Sequence, residues 1–330
     1  MHLQKGNNPG SNPGVRRFAY RFGVSMDNVN VDKEPVKKSY VQYISIAVVA
    51  IALVIVLYYA ISSQGGAGTK YGTTSGSGKA TAAAQVGVQQ NVSNLPEYDN
   101  VMVSSNMLSM LNVPENLSND IGIGTAYNDT ITILYNKSAL NANGKPEILY
   151  MGAEYCPFCA AERWAMIIAL SRFGNFSDVH FMTSSASDYS PSTPTFTFYN
   201  STYTSPYITF VAVEQTTNEP SVLGYVTLQQ PTQQELDLQN NYNKNGSIPF
   251  ILFANRSVSI GAMFDPYSIL YGRTWSTVIS EIYNASTVQS KAIIGSADII
   301  TEQICSIDNN TPKSVCSQPY VSNIRKTLSS

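Results

Sequence analysis

Charge is what this chain has least of for its length. Across 330 residues Asp, Glu, Lys and Arg make up 13%, and they nearly cancel to a net charge of -2. Residues 1–40 hold seven Lys/Arg and three Asp/Glu, which leaves residues 41–330 with thirteen against nineteen. So mildly acidic a body excludes a nucleic-acid partner, because phosphate recognition needs a basic face. Histidine is scarcer still, with only His2 and His180, and there are four cysteines. A zinc centre built on a cysteine pair would need two further ligands, and His2 lies in a segment apart from the rest, so no metal site is expected. The chain also lacks a phosphate-cradling glycine loop and a nucleophilic-serine motif, and nothing in it calls for an organic cofactor. Tyr, Asn, Ser and Thr take the place of charge. That composition points to a polar, uncharged surface outside the cytoplasm, one compatible with acid.

One long apolar run is present. Ile44 to Ile61 is eighteen residues without a charge. At ~1.5 Å per residue a helix of that length nearly crosses the ~30 Å hydrocarbon core of a bilayer. Tyr40, Tyr43, Tyr58 and Tyr59 stand at its ends, where aromatic belts form. Lys37 and Lys38 precede it and the next charge beyond it is Lys70, so the positive-inside rule puts the N-terminus in the cytoplasm and the rest outside. The run exceeds the about 7–15 residues of a signal-peptide core, which favours an uncleaved anchor over cleavage near Ala60-Ile61-Ser62. Ten N-x-S/T sites, from Asn91 to Asn309, all follow the run and fit a glycosylated extracytoplasmic region. The expected organisation is a disordered cytoplasmic tail over 1–40 (Met26 being an alternative start) and a single-pass helix in the cell membrane over 41–62. A flexible Gly/Ser/Ala/Thr tether follows over 63–94, with a reach of roughly 30 Å, and then a folded extracytoplasmic domain over 95–330.

Within that domain the patterning predicts an α/β architecture around a central mixed sheet. Strands are expected over Ile131–Tyr135, Ile148–Ala153 and Val179–Met182. Helices are expected over Met102–Leu111, Cys159–Phe173, Gln233–Tyr242, Trp275–Tyr283 and Ile293–Ile304. Thr195–Tyr199 and Tyr207–Val211 alternate with period two and read as one hairpin; Phe250–Phe253 and Val258–Phe264 read as a second. Asp298 and Glu302, four apart on the last helix, read as a solvated face, and His180 reads as a packed residue.

The chemistry lies in Cys156-Pro157-Phe158-Cys159, set between the strand that ends at Ala153 and a helix. Strand, C-x-x-C, helix is the context that makes two cysteines a redox pair. At a helix N-terminus the macrodipole and the free N–H groups favour the thiolate of the first cysteine, which attacks a disulfide so that the second can resolve the mixed disulfide. Pro157 suits the first helical turn, where its missing N–H costs nothing.

About ninety residues on, Ser247-Ile248-Pro249-Phe250 opens an apolar strand. With these two motifs the chain resembles the thioredoxin superfamily over roughly residues 95–320. In Ile148–Phe176, with Trp164, it is similar to a family of archaeal membrane-anchored thioredoxin-like proteins. The resemblance implies a thioredoxin-like fold with Cys156 as exposed nucleophile and Cys159 as buried resolving thiol. Ile248 and Pro249 would be the cis-proline pair that holds the substrate backbone, with Tyr155 beside it. Glu154 and Tyr155 stand where the superfamily has an acidic-aromatic pair, and Phe158 completes the motif. One position departs: six residues before the first cysteine, where the superfamily has a buried acid, stands Tyr150. Glu147 and Glu154 are the nearest carboxylates. The stretch from Met182 to Ile248 is longer than the minimal fold needs and reads as an insertion, either an extra sheet edge or a peptide groove.

Cys305 and Cys316 flank a short loop and read either as a structural disulfide or as a shuttle pair that exchanges electrons with Cys156 and Cys159. The expected function is that of a membrane-tethered thiol–disulfide oxidoreductase that oxidises or isomerises exported proteins. Exported protein thiols and disulfides would be its substrates, and a membrane partner would recycle the cysteine pair. The alternative is a non-catalytic thioredoxin-like binding or assembly subunit of a membrane complex.

Overall fold

The computed structural model describes residues 95–135 and 137–329. The tail, membrane helix and tether expected over 1–94 lie outside these residues. No helix among the described residues is long and apolar enough to cross a membrane.

The strands are β1 (Ile131–Ile133), β2 (Asn141–Ala142), β3 (Lys145–Gly152), β4 (Asn175–Ser177), β5 (His180–Thr183), β6 (Pro194–Thr197), β7 (Thr202–Thr204), β8 (Thr209–Glu214), β9 (Thr216–Ser221), β10 (Gly224–Thr227), β11 (Phe250–Phe253) and β12 (Ser257–Ile260). The helices are α1 (Ser105–Met110), α2 (Glu115–Ile121), α3 (Pro157–Ser171), α4 (Gln233–Tyr242), α5 (Pro266–Leu270), α6 (Trp275–Ile282), α7 (Val288–Ile307), α8 (Lys313–Cys316) and α9 (Pro319–Leu328).

The fold is mixed α/β around a central mixed sheet. β3 is its middle strand, parallel to β8 on one side and antiparallel to β11 on the other; the β11–β12 hairpin and then β1 complete that side. Both faces of β3 are covered, which is why its sequence reads as a continuous apolar run. Ile148 and Tyr150 pack with α3 and α7, whereas Leu149 and Met151 pack with Leu236, Leu238 and Tyr242 of α4. The α3 helix is apolar on nearly every side because it is enclosed on nearly every side. Trp164 at its middle is fully buried and its indole N–H donates to the Pro194 carbonyl at 2.8 Å. Truncating it to alanine would cost about 3–5 kcal/mol in cavity and lost burial.

A second buried network joins the end of α3 to the C-terminal helices. Arg172 pairs with Asp298 at 2.8 Å and donates to Thr301, Tyr320 and Ser118. Asp298 and Glu302 therefore do not form a solvated face. Asp298 is the buried counter-charge of Arg172, and Glu302 is buried against Arg325 of α9 at 2.8 Å. Both partners are remote in sequence, so the four-residue spacing alone misled. Gly295 of α7 lets the loop after α2 approach: a Cβ there would lie 2.2 Å from the Ile123 carbonyl oxygen. Cys305 and Cys316 form a disulfide that ties α8 to the end of α7, with Cα atoms 5.5 Å apart.

The insertion differs from expectation. Thr195–Tyr199 and Tyr207–Val211 do contain strands, but they do not pair with each other. β6 pairs with β5 in a separate two-stranded sheet, and β8 joins the central sheet. β6 is buried throughout and anchored on the motif helix, the Thr195 hydroxyl donating to the Ala160 carbonyl at 2.8 Å. Within the insertion, β8 thus does supply an edge of the central sheet, whereas β6 packs on the motif helix. A β9–β10 hairpin, which alternation did not reveal, lies in the same segment.

Candidate active site

The end of β3, the start of α3 and the entry to β11 meet at the two free cysteines. Cys156 is the N-cap of α3: its backbone is extended, and its sulfur accepts the Cys159 backbone N–H at 3.3 Å. A cysteine thus fills the role usually given to Ser, Thr, Asp or Asn, and the free donors of the first turn converge on its sulfur. Pro157 takes the first helical position, so none of those donors is lost where it stands. Burial alone would raise the Cys156 thiol. The side-chain and backbone donors of Cys159 and the charge of Arg163 outweigh it and hold the thiol below its ordinary value. For Cys159 burial and the hydrogen bond to Cys156 act together and push its thiol well up. Cys156 is therefore the more acidic thiol of the pair and Cys159 the less acidic.

Cys156 is not the exposed nucleophile expected. It is only 5% exposed, because Ala153, Tyr155 and Ile248 pack around it. Ile248 and Pro249 do come to the cysteines: the peptide bond between them is cis, and the Cys156 thiol reaches the Ile248 carbonyl at 4.0 Å. Tyr155 is half-buried and stacks on Tyr225 of the β9–β10 hairpin with ring centroids 4.1 Å apart. The Tyr225 hydroxyl is in turn fixed by donating to Ser185 at 2.7 Å. Phe158 is exposed and stacks on Tyr189.

Of the two carboxylates near the motif in sequence, Glu147 stands at the opposite end of β3 from the cysteines. Glu154 is buried, and Oε1 of its carboxyl accepts the Thr197 hydroxyl at 2.6 Å. Burial raises it to about 7 despite that hydrogen bond. Behind the cysteines lies a charge pair that sequence reading did not single out. Arg163, one turn after Cys159, donates from Nε and Nη2 to both carboxylate oxygens of Glu214 at 2.8 and 2.7 Å, and Nη2 also reaches the Ala153 carbonyl at 2.7 Å. Both side chains are fully buried. Glu214 ends β8, opposite Gly152 of β3. An arginine inside an apolar helical run was the readable signal; its partner's position was not.

Cys305 and Cys316 pack in the main core, apart from the small cluster that holds Cys156 and Cys159. Among the described residues no group of three or more His, Cys, Asp or Glu could hold a metal. An apolar groove of about 290 Å3 lined by Tyr98, Met102, Met107, Phe181 and Trp275 does not reach the cysteines.

Residues 133–306 match a protein family described as a domain of unknown function (DUF929), and the chain belongs to that family. No curated protein and no solved structure matches it.

Proposed function

We propose that this member of the DUF929 family is a membrane-tethered, extracytoplasmic thiol–disulfide oxidoreductase with a thioredoxin-like fold. The observation that carries the reading is the asymmetry of the two free cysteines at the N-terminus of α3. Cys156 accepts the Cys159 N–H and its thiol is held below its ordinary value, while that of Cys159 is pushed well up. The strand order β8-β3-β11-β12, with the cysteines after β3 and Ile248-Pro249 at the entry to β11, supports the thioredoxin-like assignment. The Cys156 thiolate attacks one sulfur of a substrate disulfide, and the other sulfur leaves with the electron pair and takes a proton. Cys159 then displaces the substrate from Cys156, which leaves the pair oxidised and the substrate reduced. Run in reverse, the oxidised pair inserts a disulfide into an exported protein, and a membrane partner that accepts two electrons restores it. Oxidation or isomerisation is the direction favoured outside the cytoplasm. Exposed sequons such as Asn200, Asn245 and Asn284 support that location. Cys305–Cys316 serves as a structural bridge.

The test is a full-chain Cys159→Ser variant incubated with a reduced, unfolded secretory protein and a glutathione redox buffer. The reading expects a mixed disulfide through Cys156, and disulfide formation by wild-type protein that Cys156→Ser abolishes. No adduct and no turnover would contradict it.

One observation favours a second reading, a non-catalytic thioredoxin-like binding or assembly subunit of a membrane complex. Cys156 is buried, and a structural dithiol would be. In that case Cys156→Ser would leave association with the complex intact.

A further inference from the structure

A run of exposed aromatic rings starts inside the cysteine motif. Phe158 stacks on Tyr189 with ring centroids 5.7 Å apart and planes 3° from parallel. Tyr189 meets Tyr267 of α5 at 5.8 Å, and Tyr267 stacks on Tyr271, just after α5, at 4.7 Å. Phe158, Tyr189, Tyr267 and Tyr271 are 39%, 56%, 48% and 50% exposed, so all four belong to the surface. Three separate segments supply them, and the middle one is held in place. In the loop over 184–193 the Ser184 hydroxyl donates to the Ser190 carbonyl at 3.0 Å, and the Ser185 N–H donates to the Tyr155 carbonyl at 2.9 Å. Contiguous exposed apolar surface of this kind marks a binding face. Tyrosine suits one, since its ring offers contact area with little side-chain entropy to lose. We propose that this ladder docks an unfolded polypeptide that carries aromatic or basic side chains beside the cysteine it presents to Cys156. The inference rests on the oxidoreductase reading above and names its substrate class.

Three observations select that occupant. The first is continuity: the ladder begins at Phe158, two residues from Cys156 and inside the motif itself. The second is access. Cys156 is nearly enclosed, which favours an extended segment over a folded surface as the partner. An extended chain sets alternate side chains roughly 7 Å apart on one face, near the 5.7 and 5.8 Å between the first three rings. The third is charge. Asp188 accepts the Tyr189 N–H at 2.6 Å and Asp265 accepts the Tyr267 N–H at 3.3 Å, so two carboxylates stand beside the rings. Arg273, two residues past Tyr271, is paired with Glu281 at 2.8 Å. Among the described residues the cations that lie over rings do so elsewhere, Lys137 over Tyr242 and Arg172 over Tyr320. Ring faces beside carboxylates attract aromatic and cationic side chains and repel acidic ones. The same sign of charge disfavours an anionic lipid surface as the occupant.

The test uses the full-length chain with Cys159→Ser, which stops resolution, and synthetic peptides with one cysteine each, flanked by Tyr and Arg, by Ser and Gly, or by Asp and Glu. Each peptide thiol is equilibrated with the mixed disulfide of Cys156 and glutathione. The peptide sulfur bonds to Cys156, and glutathione leaves with the electron pair and takes up a proton. Acid quench and mass spectrometry read the equilibrium. The Tyr and Arg peptide should be favoured over the Ser and Gly peptide, and the Asp and Glu peptide should fall below both. Adding Tyr189→Leu/Tyr267→Leu keeps apolar area and removes two ring faces at exposed sites. It should cut the preference for the Tyr and Arg peptide by about three- to ten-fold. Each peptide's own thiol acidity is the same against both proteins, so the change between them reports the ladder alone. An unchanged preference overturns the inference and leaves the oxidoreductase reading standing; slower reoxidation of Tyr189→Leu/Tyr267→Leu by its native membranes would then give the face to the recycling partner. No adduct at Cys156 with glutathione or any peptide overturns both.

Discussion

Glu214 at the end of β8 holds Arg163 of α3 with both carboxylate oxygens, in a pair from which water is excluded. It joins the parallel strand to the cysteine helix directly behind Cys159. Removing one partner leaves the other as an uncompensated buried charge, so Glu214→Ala should destabilise the domain by about 3–5 kcal/mol in urea unfolding. The double variant Arg163→Met/Glu214→Leu should recover most of that loss. A single variant within 1 kcal/mol of wild type, on the same principle, would mean that the pair is solvated.

Stability should fall as pH rises. Burial raises Glu162, fully enclosed on α3, from 4.5 to about 7. Between those values the folded state keeps a proton that the unfolded chain has released. The associated stability is complete below about 4.5 and is lost as pH rises through about 7. Burial shifts Glu154 to about 7 and Asp298 to about 6, so both act in the same direction. Glu162 alone accounts for on the order of 3 kcal/mol. The thermal midpoint of wild type should be higher at pH 5 than at pH 8. Glu162→Gln, which keeps an acceptor for the Met263 N–H, should flatten the slope. A midpoint that rises with pH would refute this.

Tyr225 should control access to the nucleophile. Its ring lies on Tyr155, which packs on Cys156. An aromatic stack contributes about 0.5–1.5 kcal/mol, so Tyr225→Ala should speed alkylation of Cys156 roughly two- to ten-fold at fixed pH. The midpoint of the pH profile should not move, because Tyr225 gives no hydrogen bond to the sulfur. A slower reaction would show that the stack orders the site for attack instead of screening it.

Much of the framework was legible in sequence. Ile148–Ala153 and the helix after Cys156 announced themselves by apolar length and by Pro157 at the first turn. Gln233–Tyr242 is bounded as expected because Thr232 and Glu235 make a capping box. What could not be read was pairing across distance. Phe196 and Phe210 alternate alike, yet their strands belong to different sheets, because β6 meets α3 and β8 meets β3. Asp298 looked solvated because Arg172 is 126 residues away in the chain. The α9 helix carries signals of its own, with Pro319 at its first turn and Tyr320, Val321 and Ile324 on its buried face. Tyr150 was visible as a departure, but the reason Gly152 accompanies it appears only when the ring is seen lying over that glycine.

The central claim is that Cys156 is a nucleophile made acidic by its place as the cap of α3. The direct measurement is its alkylation rate against pH in the full chain, with the modified residue identified by mass. The account predicts a midpoint below the ~8.5 of a free thiol, moving up when Cys159→Ala removes the side-chain donor. A midpoint at or above ~8.5, or one that Cys159→Ala leaves in place, would contradict it.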